Sequence, residues 1–137
     1  MTVVGRYFTV DEANATLEEV RPLVEQLVGY ARTLAVAQAR WAELSGTMAG
    51  NGGGFPPSEL ADAAEAVDRA RADVARTVNA IHALGAVVKD LETGLIDFPA
   101  LHRGQEVLLC WQLGEDEVAY WHDLESGFAG RRSLPFD

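Results

Sequence analysis

A chain of 137 residues that is 48% apolar is long enough for one domain with its own core and too apolar for a disordered one. Its formal charge of −10, divided as −4 over residues 1–85 and −6 over residues 86–137, leaves no basic stripe, so nucleic acid and anionic membranes are not expected partners. The single cysteine, Cys110, excludes an internal disulfide framework, and no apolar run reaches the roughly 20 residues that span a bilayer. The start MTVVGRYF has no charged-then-apolar signal pattern, and a cytoplasmic protein is expected.

The first helix announces itself at Thr9. Thr9 and Glu12 form a capping box, in which hydroxyl and carboxylate each satisfy an orphan backbone N–H. Apolar residues then fall at Ala13, Leu17, Val20, Val24, Leu27, Ala31, Leu34 and Trp41, a heptad-like stripe that Leu23, Val28 and Ala35 widen. Pro22 lacks an N–H and predicts a kink or local break. One bent helix is expected over about 10–45. Residues 46–57, rich in glycine and closed by Pro56 and Pro57, read as a flexible loop. The segment GNGGGF within it lacks the Lys-Ser/Thr pair and the preceding strand of a phosphate-cradling loop.

The second helix is expected after Ser58 as N-cap, with a stripe at Leu60, Ala63, Val67, Ala70, Val74, Ile81 and Leu84. Gly85 suits the left-handed cap at its end. Matching seams on two helices predict an antiparallel pair. From Gly85 onward the period changes. AVVKDL and LIDF read as short strands around a turn at Glu92-Thr93-Gly94, with Pro99 ending the second. EVLLCWQL and EVAYWHDL read as two more strands around Gly114-Glu115-Asp116. Val107, Leu109 and Trp111 face one way and Leu108 and Cys110 the other, so this strand is apolar on both faces and belongs inside a sheet. The last stretch, ESGFAGRRSLPFD, reads as irregular.

The fold class is therefore α+β. It is a single domain over 1–137, with a helical hairpin at 9–85 and a small antiparallel β-sheet at 86–137. The helical stripes are wider than a two-helix seam, which predicts self-association as a homodimer.

Several pieces are similar to a bacterial family known as domain of unknown function number 2203. They are VKDL at 88–91, GLIDFP at 94–99, LCWQLGE at 109–115, WH at 121–122 and GFAGR at 127–131, with FTVDEANATLEEVRPLV resembling the family's first helix. The resemblance implies membership over nearly the whole chain. It implies no activity, cofactor or site; some members carry a cell-division label.

The residues with chemical potential lie in the C-terminal part. His82, His102 and His122 lack the tight spacing of a metal motif, so a metal site would have to be assembled in three dimensions from His122, Asp97 and a helix glutamate. Cys110 between Leu109 and Trp111 reads as a small buried residue rather than a catalytic thiol. Arg131 either neutralises nearby acids such as Asp97 or forms a carboxylate- or phosphate-binding corner. Two function classes stand side by side. One is a non-enzymatic, oligomerising interaction or scaffold module. The other is a small-molecule- or metal-binding protein, enzymatic or not, with a site at His122, Arg131 and Asp97. Convergence of those side chains favours the second and their dispersal favours the first.

Overall fold

The computed structural model describes residues 6–51 and 57–136. Two helices, α1 (Val10–Asn51) and α2 (Pro57–Ala83), form the expected antiparallel hairpin. A five-stranded antiparallel sheet follows in sequential order, with β1 at Val87–Asp90, β2 at Leu95–His102, β3 at Gln105–Gln112, β4 at Tyr120–Asp123 and β5 at Arg132–Ser133. No helix among the described residues is long and apolar enough to cross a membrane.

The helix ends follow local chemistry. The Thr9 amide donates to the Glu12 carboxylate at 2.9 Å, and the Glu12 amide donates to the Thr9 hydroxyl at 3.1 Å. These bonds hold the Glu12 carboxyl below the usual carboxylate range. Gly85 closes α2 with φ of +100°, and a Cβ there would meet the Phe8 ring at 2.7 Å. Both the left-handed backbone and the close ring require glycine.

Five boundaries differ from the sequence reading, and the first is β4, which begins at Tyr120 and leaves residues 117–119 of the expected strand EVAYWHDL in the connection from β3. Helix α1 runs on to Asn51, through part of the segment read as a loop, because two glycines, at positions 46 and 50, cost only about 1 kcal/mol each and leave the backbone ladder intact. Residues 52–56, the rest of that expected loop with most of GNGGGF, lie outside the described residues. Helix α2 starts at Pro57 and not after Ser58, since proline at the first helical position gives up only an orphan N–H. Strand β2 continues through Pro99, which was expected to end it. The Pro99 carbonyl accepts the Phe8 N–H at 2.7 Å, on the side away from β3. Its missing N–H faces that same side, beyond the end of β1, so no ladder bond is lost. Finally, the C-terminal stretch is not wholly irregular, because Arg132 and Ser133 pair with Trp121 and Tyr120 as β5.

Pro22 does not break α1, which is continuous across it. The ring is exposed, so no packing offsets the hydrogen bond it denies to the Glu18 carbonyl. Pro22→Ala is therefore expected to raise stability by about 1–3 kcal/mol. Chemical denaturation followed by circular dichroism measures this, and an unchanged midpoint would show that the helix has already adapted around the ring.

The core lies between one face of the sheet and the first half of the hairpin. Leu17, Val20, Val24 and Leu27 of α1 and Ile81 of α2 meet Ile96, Phe98, Leu109, Trp111 and Trp121. Two polar side chains pin α1 to the β3–β4 connection. The Asn14 amide pairs with the backbone of Val118, at 2.7 Å from the Val118 N–H, and Arg21 donates to the carbonyls of Glu115 and Asp116. The connection thus has partners for backbone groups that no strand supplies. The far half of the hairpin reaches past this core. There Val36 is 71% exposed and Trp41 44%, although both belong to an apolar-rich helix.

Candidate functional site

The opposite face of the sheet carries a polar cluster. Side chains alternate along a strand, so Ile96, Phe98, Leu109 and Trp111 facing the helices leaves Asp97, Leu108 and Cys110 facing away. Register then decides which of these meet. Asp97 pairs with Cys110, Cys110 pairs with Tyr120, and Leu108 pairs with His122. Three adjacent strands thereby deliver Asp97, Cys110 and His122 to one spot, and all three are buried. One donor atom from each lies within 4.8 Å of the others.

The hydrogen bonds define the state of the cluster. His122 Nδ1 is 2.7 Å from the Asp123 carbonyl, which can only accept, so Nδ1 carries a proton. His122 Nε2 is 3.2 Å from Asp97 Oδ1. A proton therefore sits between them, on the carboxyl with a neutral ring or on the ring with a carboxylate. Burial pushes the Asp97 carboxyl upward, opposed by His122, by Lys89 and by a hydrogen bond from the Cys110 thiol. Burial, then the charge of Asp97, pushes the Cys110 thiol up to about 12. A thiol so enclosed is protonated at neutral pH and is no nucleophile.

Arg131 sits elsewhere on the same face. Its guanidinium pairs with Glu115 at 2.8 Å, reaches the Cys110 carbonyl at 3.4 Å and lies over the rings of Tyr120 at 4.0 Å and Phe128 at 4.5 Å. Burial pushes the Glu115 carboxyl upward, but the Arg131 pair and the Gln112 N–H outweigh it and hold the group below its ordinary value. The expected Asp97–Arg131 ion pair does not form, because each takes a nearer partner.

Of the three residues singled out from sequence, Asp97 and His122 converge, and Arg131 borders them through the Cys110 backbone. Asp97 lies within β2, paired with Val87 on one side and Cys110 on the other, and His122 pairs with Leu108 of β3. Cys110 is the member that sequence reasoning set aside. Its alternation with Leu109 and Trp111 already placed it on the opposite face of the strand, but neither the side on which the helices pack nor the register against Asp97 was legible. His82 and His102 lie apart. His82 accepts the Val88 N–H at 3.3 Å, and His102 stacks on Phe136 at 4.3 Å.

The family comparison covers this whole arrangement. Residues 6–134 match the family model described as an uncharacterized conserved protein, DUF2203. No curated protein and no solved structure matches the chain. The match takes in both helices and all five strands, and the chain belongs to the DUF2203 family.

Proposed function

We propose that this is a metal-binding, non-enzymatic protein of the cytoplasm, whose Asp97, Cys110 and His122 hold a divalent transition cation, zinc by ligand preference. The observation that carries the reading is the convergence of three different donor types within 4.8 Å from three neighbouring strands. The second supporting feature is the orientation of His122. Its Nδ1–H is held by a backbone carbonyl, which turns Nε2 toward the cluster, the arrangement usual for a ligating imidazole.

Geometry and charge agree with this. Ligand N and O atoms at about 2.0–2.2 Å from a tetrahedral metal stand roughly 3.3 Å apart, and Nε2 and Oδ1 are already separated by 3.2 Å. Metal–sulfur bonds of about 2.3 Å require the widest donor pair to close by roughly 1 Å. A thiolate, a carboxylate and a neutral imidazole together carry two negative charges, which a divalent ion balances in a buried site. Thiolate and imidazole select a borderline cation over calcium or magnesium, which take oxygen ligands. The ion would clip β2, β3 and β4 together on the face that the helices leave uncovered.

The test is metal loading. The purified protein, stripped with chelator and equilibrated with Zn²⁺, should retain a single ion per chain after removal of excess. At a hundredfold excess over Kd the ion should add about 2.7 kcal/mol of stability, a rise of several degrees in Tm. Cys110→Ser and His122→Gln should each lose the retained ion while the metal-free Tm changes less. Cobalt should give the thiolate charge-transfer band in the wild type and not in Cys110→Ser. A wild-type protein that retains no zinc and shows no shift overturns the reading and leaves the cluster as a proton-sharing structural network.

A further inference from the structure

A groove runs between the far halves of the two helices, along one flank of the seam between α1 and α2. Trp41 of α1 and Ala64, Val67, Asp68 and Arg71 of α2 line it, with a volume of about 220 Å³. Its floor is apolar. Its rim carries one acid and one base, three residues apart on α2. Asp68 and Arg71 are both exposed, and among the described residues neither forms an ion pair.

We infer that this groove is the interface with a second copy of the chain, docked about a two-fold axis that crosses α2 between Arg69 and Ala70. The charges select that occupant. A two-fold contact is self-complementary, so a residue that meets another on the partner is met by it in return. Antiparallel packing of α2 on its own copy brings Asp68 to Arg71 and Arg71 to Asp68, two opposite-charge contacts from one pair of side chains. The same axis sets Ala64 opposite Ala75, and both are small enough for close approach of the helices. Trp41 then lies at the margin of the contact, where its half-exposed ring gains a second wall. The charge on the chain as a whole is −10, so two copies repel in general. A contact between them must bring its own attraction, and this rim does so. The inference concerns a surface distant from Asp97, Cys110 and His122 and does not depend on metal.

Charge exchange tests it. Sedimentation at micromolar concentration should show a dimer for the full chain. Arg71→Asp sets acids against acids across the axis and should weaken association at least about tenfold. Asp68→Arg sets bases against bases and should do the same. The double variant Asp68→Arg/Arg71→Asp restores both contacts in reverse and should recover the dimer. Both substituted positions are at the surface, so circular dichroism should show one common fold for all three variants. A wild-type monomer overturns the inference. So does a dimer insensitive to Arg71→Asp, which would put the interface elsewhere, and so does a double variant that stays monomeric. Binding of a different protein to the groove with no self-association also overturns it.

Discussion

Trp111→Ala is expected to lower the unfolding free energy by about 3–5 kcal/mol, the largest single effect in this protein. Trp111 is fully buried near the C-terminal end of β3, the central strand of the sheet. It fills the space between the sheet and α1, and Arg21 lies over its ring at 5.4 Å. Its indole N–H donates to the Glu115 carbonyl at 3.0 Å, which ties the β3–β4 connection to the core. Truncation leaves a cavity that the packed sheet and helix cannot collapse to fill, and it takes from the Glu115 carbonyl one of its two donors, the other being Arg21. Trp111→Phe keeps most of the apolar area and loses the hydrogen bond, so it should cost clearly less. Trp41→Ala is the internal control. That ring is half exposed, and its loss should change monomer stability by no more than about 1 kcal/mol. Urea denaturation of the three variants decides it, and equal costs for Trp111→Ala and Trp41→Ala would refute the packing account.

Arg131→Ala should destabilise by about 2–4 kcal/mol at neutral pH. The side chain is 14% exposed and its partner Glu115 25%, so solvent screens the pair only partly. Its loss removes two ring contacts and leaves a half-buried carboxylate with one remaining donor, the Gln112 N–H. The effect has a pH signature. The folded Glu115 carboxyl is held below its unfolded value of 4.5, so the stability it contributes is present above about that pH and is lost as pH falls through the folded value. In Arg131→Ala the main cause of that depression is gone, while burial still raises the group. The stability difference between wild type and variant should therefore be widest at neutral pH and narrow in acid. Melting temperatures across that range check the sign. A difference that stays constant with pH would mean that Arg131 acts by packing on Tyr120 and Phe128 alone.

Much of the architecture was legible from short-range signals. The capping box at Thr9 and Glu12, the helical period from Ala13 to Leu27, the left-handed stop at Gly85 and the turn at Gly94 each act within a few residues. Each is satisfied by the chain's own neighbours, so a linear reading recovers it. The doubly apolar pattern of Val107 to Trp111 likewise implied a central strand, because only a strand covered on both faces can carry apolar side chains on both. Proline was misread where its cost depends on surroundings. Pro99 stays inside β2 because its N side faces away from β3, and that depends on where β1 ends and on Phe8, some ninety residues earlier.

The candidate site illustrates the division most clearly. The sequence by itself determined that Asp97, Cys110 and His122 sit on extended segments and that Cys110 faces opposite to Leu109 and Trp111. Strand alternation needs no partner to be read. That the three donors meet was decided only by the tertiary structure. A shift of one residue in either register would send Asp97 or His122 to the helix side of the sheet. Register is set by the whole apolar face closing on α1 and α2 at once, through Ile96, Phe98, Leu109, Trp111 and Trp121. The same closure gave Arg131 to Glu115 instead of Asp97. Long-range choices of this kind are sums over many contacts, and no local stretch of the chain contains them.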